Sequence, residues 1–114
     1  MSELVRDKVP NILKQQGLNP DYVLLEQKDG MRKVFVKNKF ISVSGELVLA
    51  MNLAKPEDIL MALAKTLDLV HQIAKEEKIK MTQVRESRRH LRGLKGKYQD
   101  FVILHAANKT NYPY

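Results

Sequence analysis

Apolar residues recur at helical spacing over two long stretches of this chain. Val36, Phe40, Val43, Leu47 and Ala50 follow one another at steps of four, three, four and three, the period of one helix face. Ser42, Ser44 and Gly45 interrupt the stretch with weak helix formers, Gly45 alone at about 1 kcal/mol relative to alanine, but the period favours a helix over roughly 33–51. The next stretch opens with Pro56, Glu57 and Asp58, a proline and two acids where the first turn and its dipole favour them. Ile59 or Leu60, then Leu63, Leu67, Val70 and Ala74, carry its apolar face to about residue 77.

Shorter signals complete the outline. Pro10 suits the first turn of a short N-terminal helix and Gly17 its C′ position, after which Asn19-Pro20 marks a turn. Asp29-Gly30 lies between the apolar runs Tyr22-Val23-Leu24-Leu25 and Val34-Phe35-Val36, so a β-hairpin over 22–36 competes with an early start of the long helix. Ile79 and Met81 fall in a link to a further helix over 82–91, for which Thr82 is the expected N-cap. Phe101-Val102-Ile103-Leu104 reads as a terminal strand or an extended segment near 100–105, packed on the helices. The tail 108–114 is polar and is expected to be flexible. No repeat or linker divides the chain, which predicts an all-α helical bundle as a single domain over 1–107. Two long amphipathic helices in so short a chain leave apolar faces uncovered, so a homodimer is expected.

Composition then narrows the chemistry. At 114 residues and 13.1 kDa the chain has the size of one domain, and with no cysteine it has neither disulfides nor cysteine-based metal or redox sites. No apolar run approaches the 18 or so residues of a bilayer span, and no signal-peptide core opens the chain, so a cytoplasmic protein with no membrane partner is expected. His71, His90 and His105 have no ligand spacing, His71 reading as a core or interface residue, and neither a phosphate loop nor a nucleophile elbow is present.

Charge is the distinctive feature. Twenty Lys and Arg face 13 Asp and Glu, giving +7 and a pI near 9.7, a balance that favours anionic partners. The excess is local. Residues 75–97 hold nine cations and three acids, net +6, and the rest of the chain carries +1. On a helix over 82–91, Arg85, Arg88 or Arg89, and Arg92 follow at three- or four-residue steps and form one basic stripe, either a binding face or a solvated one. Val84 and Leu91 are the only insertable apolar residues on that helix, too few for a membrane anchor. Aromatic residues near it are few, Tyr98 with Tyr112 and Tyr114, which gives stacking on single strands little support.

The opening Leu4-Val5-Arg6-Asp7-Lys8-Val9-Pro10 closely resembles the Leu-Val-Arg-Asp-Lys-Ile-Pro start of the phosphoribosyl-ATP pyrophosphohydrolase-like family, part of the MazG-like all-α nucleoside triphosphate pyrophosphohydrolases. The resemblance continues through Lys37-Asn38-Lys39-Phe40, Glu57-Asp58-Ile59-Leu60 and Leu63-Ala64-Lys65-Thr66-Leu67-Asp68-Leu69-Val70 to the closing segment Lys95-Gly96-Lys97-Tyr98-Gln99-Asp100-Phe101-Val102-Ile103-Leu104, in order and over about 4–104. It implies a MazG-like bundle and cleavage of a nucleoside triphosphate between its α and β phosphates, with Mg²⁺ held by Glu-x-x-Glu on one helix and Glu-x-x-Asp on the next. Carried over by position, the first pair falls on Val43 and Glu46, with Ser42 where a further acid precedes it, and the second on Ala62 and Lys65. Glu46 remains, and Asp68 matches a downstream acid, so the site reads as degenerate, with an ion pair of Lys65 with Glu46 or Asp68 in place of the metal.

Three readings follow. The first is a catalytically degenerate relative that binds nucleic acid or nucleotide as a basic anion-binding protein, through Arg6, Lys8, Arg85, Arg88, Arg89, Arg92, Lys95 and Lys97. Against it, Arg6-Asp7-Lys8 has a purely structural alternative, salt bridges that fix the N-terminal arm. The second is a surviving Mg²⁺-dependent pyrophosphohydrolase with a rearranged site using Glu46 and Asp68; outside this reading no cofactor or metal is expected. The third is a helical dimer serving as a protein-interaction or assembly module.

Overall fold

The computed structural model describes residues 2–105, so the tail expected at 108–114 lies outside the described residues. Four helices form in order: α1 (Val9–Gln15), α2 (Met31–Asn52), α3 (Pro56–Glu76) and α4 (Met81–Lys95). No strand occurs among the described residues, and the architecture is all-α. They belong to two compact units, Met1–Lys78 and Ile79–Tyr114.

In the first unit α2 and α3 pack as an antiparallel hairpin joined by 53–55. The short link makes them antiparallel, and ion pairs join them along the contact. Arg32 and Lys33 at the start of α2 reach Glu76 at the end of α3 and Glu77 just after it, while Glu46 late in α2 reaches Lys65 midway along α3. The buried side chains of α2 are Val36, Val43 and Ala50, which lie on the face that the spacing predicts, with Phe40 and Leu47 half-buried beside them. Val43 is the most enclosed, at 1% exposure. Ala62 and Ala74 are the buried residues of α3, and such small side chains let the two backbones approach closely.

On α3 the inward face differs from the expected one. Ile59, Val70 and Ala74 turn inward together with Ala62, Thr66, Leu69 and Ile73, whereas Leu60, Leu63 and Leu67 are exposed. Residues 59–64 are apolar without a break, so two overlapping stripes share the same period and periodicity alone could not choose between them. Thr66 is accommodated inward because its hydroxyl donates to the Ala62 carbonyl oxygen at 2.7 Å. His71, expected in a core or interface position, is exposed.

The helix ends explain the remaining differences. No hairpin forms at 22–36: residues 18–26 lack regular secondary structure, and Asp29-Gly30 starts α2 instead of turning a strand. The Asp29 carboxylate accepts the Met31 N–H at 2.9 Å and Gly30 is the N-cap, which satisfies one of the orphan donors of the first turn. Val34, Phe35 and Val36 are then in phase with the helix that follows. Residues 101–105 are likewise without regular secondary structure and exposed, so no strand forms there. α4 is longer than expected and begins at Met81, with Lys80 and not Thr82 as its N-cap; the Gln83 side chain accepts the Lys80 N–H at 2.9 Å. Pro10 and Pro56 stand in first turns, as read from the sequence. Gly17 follows α1 at φ +82, with the Leu18 N–H donating to the Leu13 carbonyl and the Gly17 N–H to that of Lys14. The same pattern closes α2, where the Lys55 N–H reaches Ala50 and the Ala54 N–H reaches Met51, but here an alanine occupies the left-handed position at φ +50.

Candidate functional site

The positions that the family resemblance assigns to metal ligands lie along the α2–α3 contact. Val43 and Ala62 are both buried there, and each contributes packing and no donor atom. Glu46 and Lys65 flank them at the surface, where the Lys65 ammonium donates to Glu46 Oε2 at 3.1 Å, both side chains being roughly half exposed. Asp68 takes no part in this pair; its carboxylate accepts from the Arg6 guanidinium at 2.7 Å. Mg²⁺ prefers several oxygen ligands in near-octahedral array. Apolar side chains at two of the four positions and an ammonium at a third do not fit it.

The N-terminal arm is tied down on two sides. Glu3 pairs with Lys39 of α2 at 3.2 Å and Arg6 with Asp68 of α3 at 2.7 Å. This is the structural role that Arg6-Asp7-Lys8 left open, and it engages Arg6 within the molecule. Lys8 is the exposed N-cap of α1. Beside α1, Lys14 donates to the Tyr22 hydroxyl at 3.2 Å, with its ammonium 5.2 Å from the ring centroid. Toward the open end of the hairpin, Arg32 and Gln72 both donate to Glu76 Oε1, at 2.6 and 2.9 Å. This group is part-buried and satisfied, an arrangement that fixes the register of α2 against α3.

α4 presents the opposite arrangement. At 100° per residue, Arg85, Arg88, Arg89, Arg92 and Lys95 fall within about 120° of its circumference. Glu86, its only acid, lies outside that arc. All four arginines are exposed, and among the described residues none of them has a hydrogen-bond or ion-pair partner. Lys97 is exposed just beyond the helix. Nothing in the sequence between Met81 and Lys95 supplies the carboxylates that would neutralise this face: the basic last turn, with Arg92 and Lys95, also sits where the helix dipole favours cations. The second unit as a whole carries eight Lys and Arg against two Asp and Glu.

One feature beside this helix was missed from sequence. Phe101 heads an apolar run and was read as packed, yet it is exposed together with Tyr98 at the two ends of one turn. The signal available was the spacing Tyr98-Gln99-Asp100-Phe101, with turn-forming polar residues at its centre.

No family model, curated protein or solved structure matches the chain. No described helix is long and apolar enough to cross a membrane.

Proposed function

We propose that this chain is an anion-binding protein whose ligand is nucleic acid, a degenerate relative of MazG-like pyrophosphohydrolases that has exchanged metal chemistry for electrostatic binding. The observation that carries the reading is the arc of four exposed arginines on α4 without a partner among the described residues. An unpaired guanidinium gives up only water and rotamer freedom on meeting a phosphate, whereas one held in an ion pair must also give up its carboxylate. Guanidinium forks match phosphate oxygens in pairs, and several along one helix favour a polymer of phosphates over a single nucleotide. Lys95 and Lys97 extend the same basic segment, and Lys8 is exposed on α1.

The test is a fluorescence-anisotropy titration of a labelled oligonucleotide at increasing salt. Each phosphate contact contributes a slope of about −0.7 to −0.9 in log K against log salt, so four arginines give a slope near −3 and affinity falls on the order of a hundredfold between 50 and 200 mM. A flat salt response rejects the proposal. Pyrophosphate release from nucleoside triphosphates with Mg²⁺ or Mn²⁺ tests the enzyme reading with the same preparation, and activity abolished by Glu46→Ala would favour that reading instead.

A second reading, assembly as a homodimer, is favoured by one separate observation. Leu60, Leu63 and Leu67 lie on one exposed face of α3 at helical spacing, with Leu60 at 69% exposure. Covering such a stripe with a second copy removes apolar area worth about 25 cal/mol per Å². Light scattering coupled to size exclusion reads the mass directly, and Leu63→Glu is expected to shift it to the monomer.

A further inference from the structure

The inference rests on the nucleic-acid reading above and concerns the form of nucleic acid that is bound. α4 ends at Lys95, and its C-cap Gly96, at φ +81, turns the chain away from the helix axis. Residues 98–101 then make a turn in which the Phe101 N–H donates to the Tyr98 carbonyl oxygen at 3.4 Å. Tyr98 is 95% exposed and Phe101 83% exposed. Phe101 also has φ +50, a region that bulky L-residues rarely enter, and such outliers gather where function over-rules local preference.

We propose that Tyr98 and Phe101 form a stacking platform for the bases of a single-stranded nucleic acid whose phosphates run along the arginine arc of α4. The ends of a four-residue turn lie within about 7 Å at their Cα atoms, so the two rings start from neighbouring points of the backbone and can serve one stretch of strand. Single strands expose both faces of each base to such rings, while in a duplex the faces are covered by neighbouring base pairs. The charges agree with this division. Arg85, Arg88, Arg89 and Arg92 precede the turn, whereas Asp100 within it disfavours phosphate and leaves the turn to bases. Val102 and Ile103 extend the exposed apolar surface beyond the second ring.

The full chain is titrated at 50 mM salt with labelled 20-nucleotide oligo(dT), oligo(rU) and a 20-base-pair DNA duplex. Both single strands are expected to bind more tightly than the duplex, and the two homopolymers separate DNA from RNA as the natural source. Tyr98→Ala combined with Phe101→Ala is expected to lower single-strand affinity by about tenfold or more, with duplex affinity and the salt slope unchanged. Phe101→Gly removes the ring at a backbone position where glycine is at ease, so a loss there is not a folding defect, and Phe101→Trp is expected to retain binding. Equal losses on single strand and duplex overturn the proposal, as does an unchanged single-strand affinity, which would assign the apolar run to a protein contact. If the unmodified chain binds none of the three probes, the nucleic-acid reading itself fails, and that result is distinct from a duplex preference.

Discussion

The α2–α3 hairpin and α4 use their cations in opposite ways. Along the hairpin, Arg32, Lys33, Lys39 and Lys65 each meet a carboxylate, on the other helix, just past its end or on the N-terminal arm. On α4 four arginines face solvent with one acid on the whole helix. A net charge averaged over the chain hides this division. In the hairpin, ion pairs accompany a direction already imposed by the short link and the packed core, and its residual field is small because most of its charge is balanced locally. On α4 the same residue types leave their field intact over several ångströms, within the screening length of about 8 Å at physiological salt. The comparison separates a region whose charges serve the fold from one whose charges remain available to a ligand.

The largest effect expected from breaking that contrast comes from the hairpin core. Val43→Glu places an acid at the most enclosed position of the hairpin. A carboxylate there must either be buried uncompensated or be neutralised, and the expected cost is about 3 kcal/mol or more. Urea denaturation followed by circular dichroism measures it. A midpoint unchanged by the substitution would mean that Val43 is not part of a packed core, and the contrast between paired charges around a core and exposed arginines on α4 would lose one side.

The next effect belongs to the other side. Replacing Arg85, Arg88, Arg89 and Arg92 together by glutamine is expected to reduce oligonucleotide affinity about a hundredfold at 50 mM salt and to flatten the salt slope toward zero. Glutamine keeps helix propensity close to that of arginine. Because none of the four has a partner among the described residues, the melting temperature is expected to stay within a degree or two. Lost binding accompanied by a large drop in melting temperature would instead give these arginines a role in the fold.

The sequence made some of this division legible, for reasons that differ by element. The inward face of α2 was readable because Val36, Phe40, Val43, Leu47 and Ala50 keep one period along most of the helix, whereas Ile41, Val48 and Leu49 are exposed and do not continue a second stripe of that length. That of α3 was not, since leucines surround the buried alanines and the choice is made by contact with α2. Asp29-Gly30 carries the same local signal whether it turns a hairpin or caps a helix, and only the phase of Val34 to Val36 with the following helix decides. The basic stripe of α4 was visible from spacing alone. The Lys65–Glu46 pair was an expected alternative to a metal, but the assignment of Asp68 to Arg6 needed the path of the N-terminal arm, which no local pattern encodes. Exposure of Phe101 was hidden for the opposite reason: apolar runs are usually packed, and composition does not distinguish a covered run from a presented one.

Two backbone substitutions sharpen the comparison through the hairpin, with smaller effects. Gly45 lies in the middle of α2 with open space where a Cβ would stand, so Gly45→Ala is expected to stabilise the hairpin by about 1 kcal/mol. In a two-state unit of this size that raises the melting temperature by roughly 4–8 °C. Ala54→Gly relieves the left-handed residue that closes α2 and is expected to add about 0.5–1 kcal/mol. Neither substitution touches α4, so oligonucleotide affinity is expected to remain unchanged, and a coupled change in affinity would tie ligand binding to the stability of the hairpin.

The smallest expected effect tests whether the Lys65–Glu46 pair contributes to the fold. Lys65 and Glu46 are about half exposed and meet at 3.1 Å, so solvent screens most of their attraction. A double-mutant cycle of Glu46→Gln and Lys65→Met isolates their mutual term from the change in each helix. The expected coupling is about 0.2–1 kcal/mol, lost in high salt. Coupling well above that range would require a far less solvated pair and would make this contact a principal determinant of the hairpin. Coupling near zero, with stability intact, would leave Val43, Ala62 and the part-buried Arg32–Glu76–Gln72 group as the contacts that hold α2 against α3.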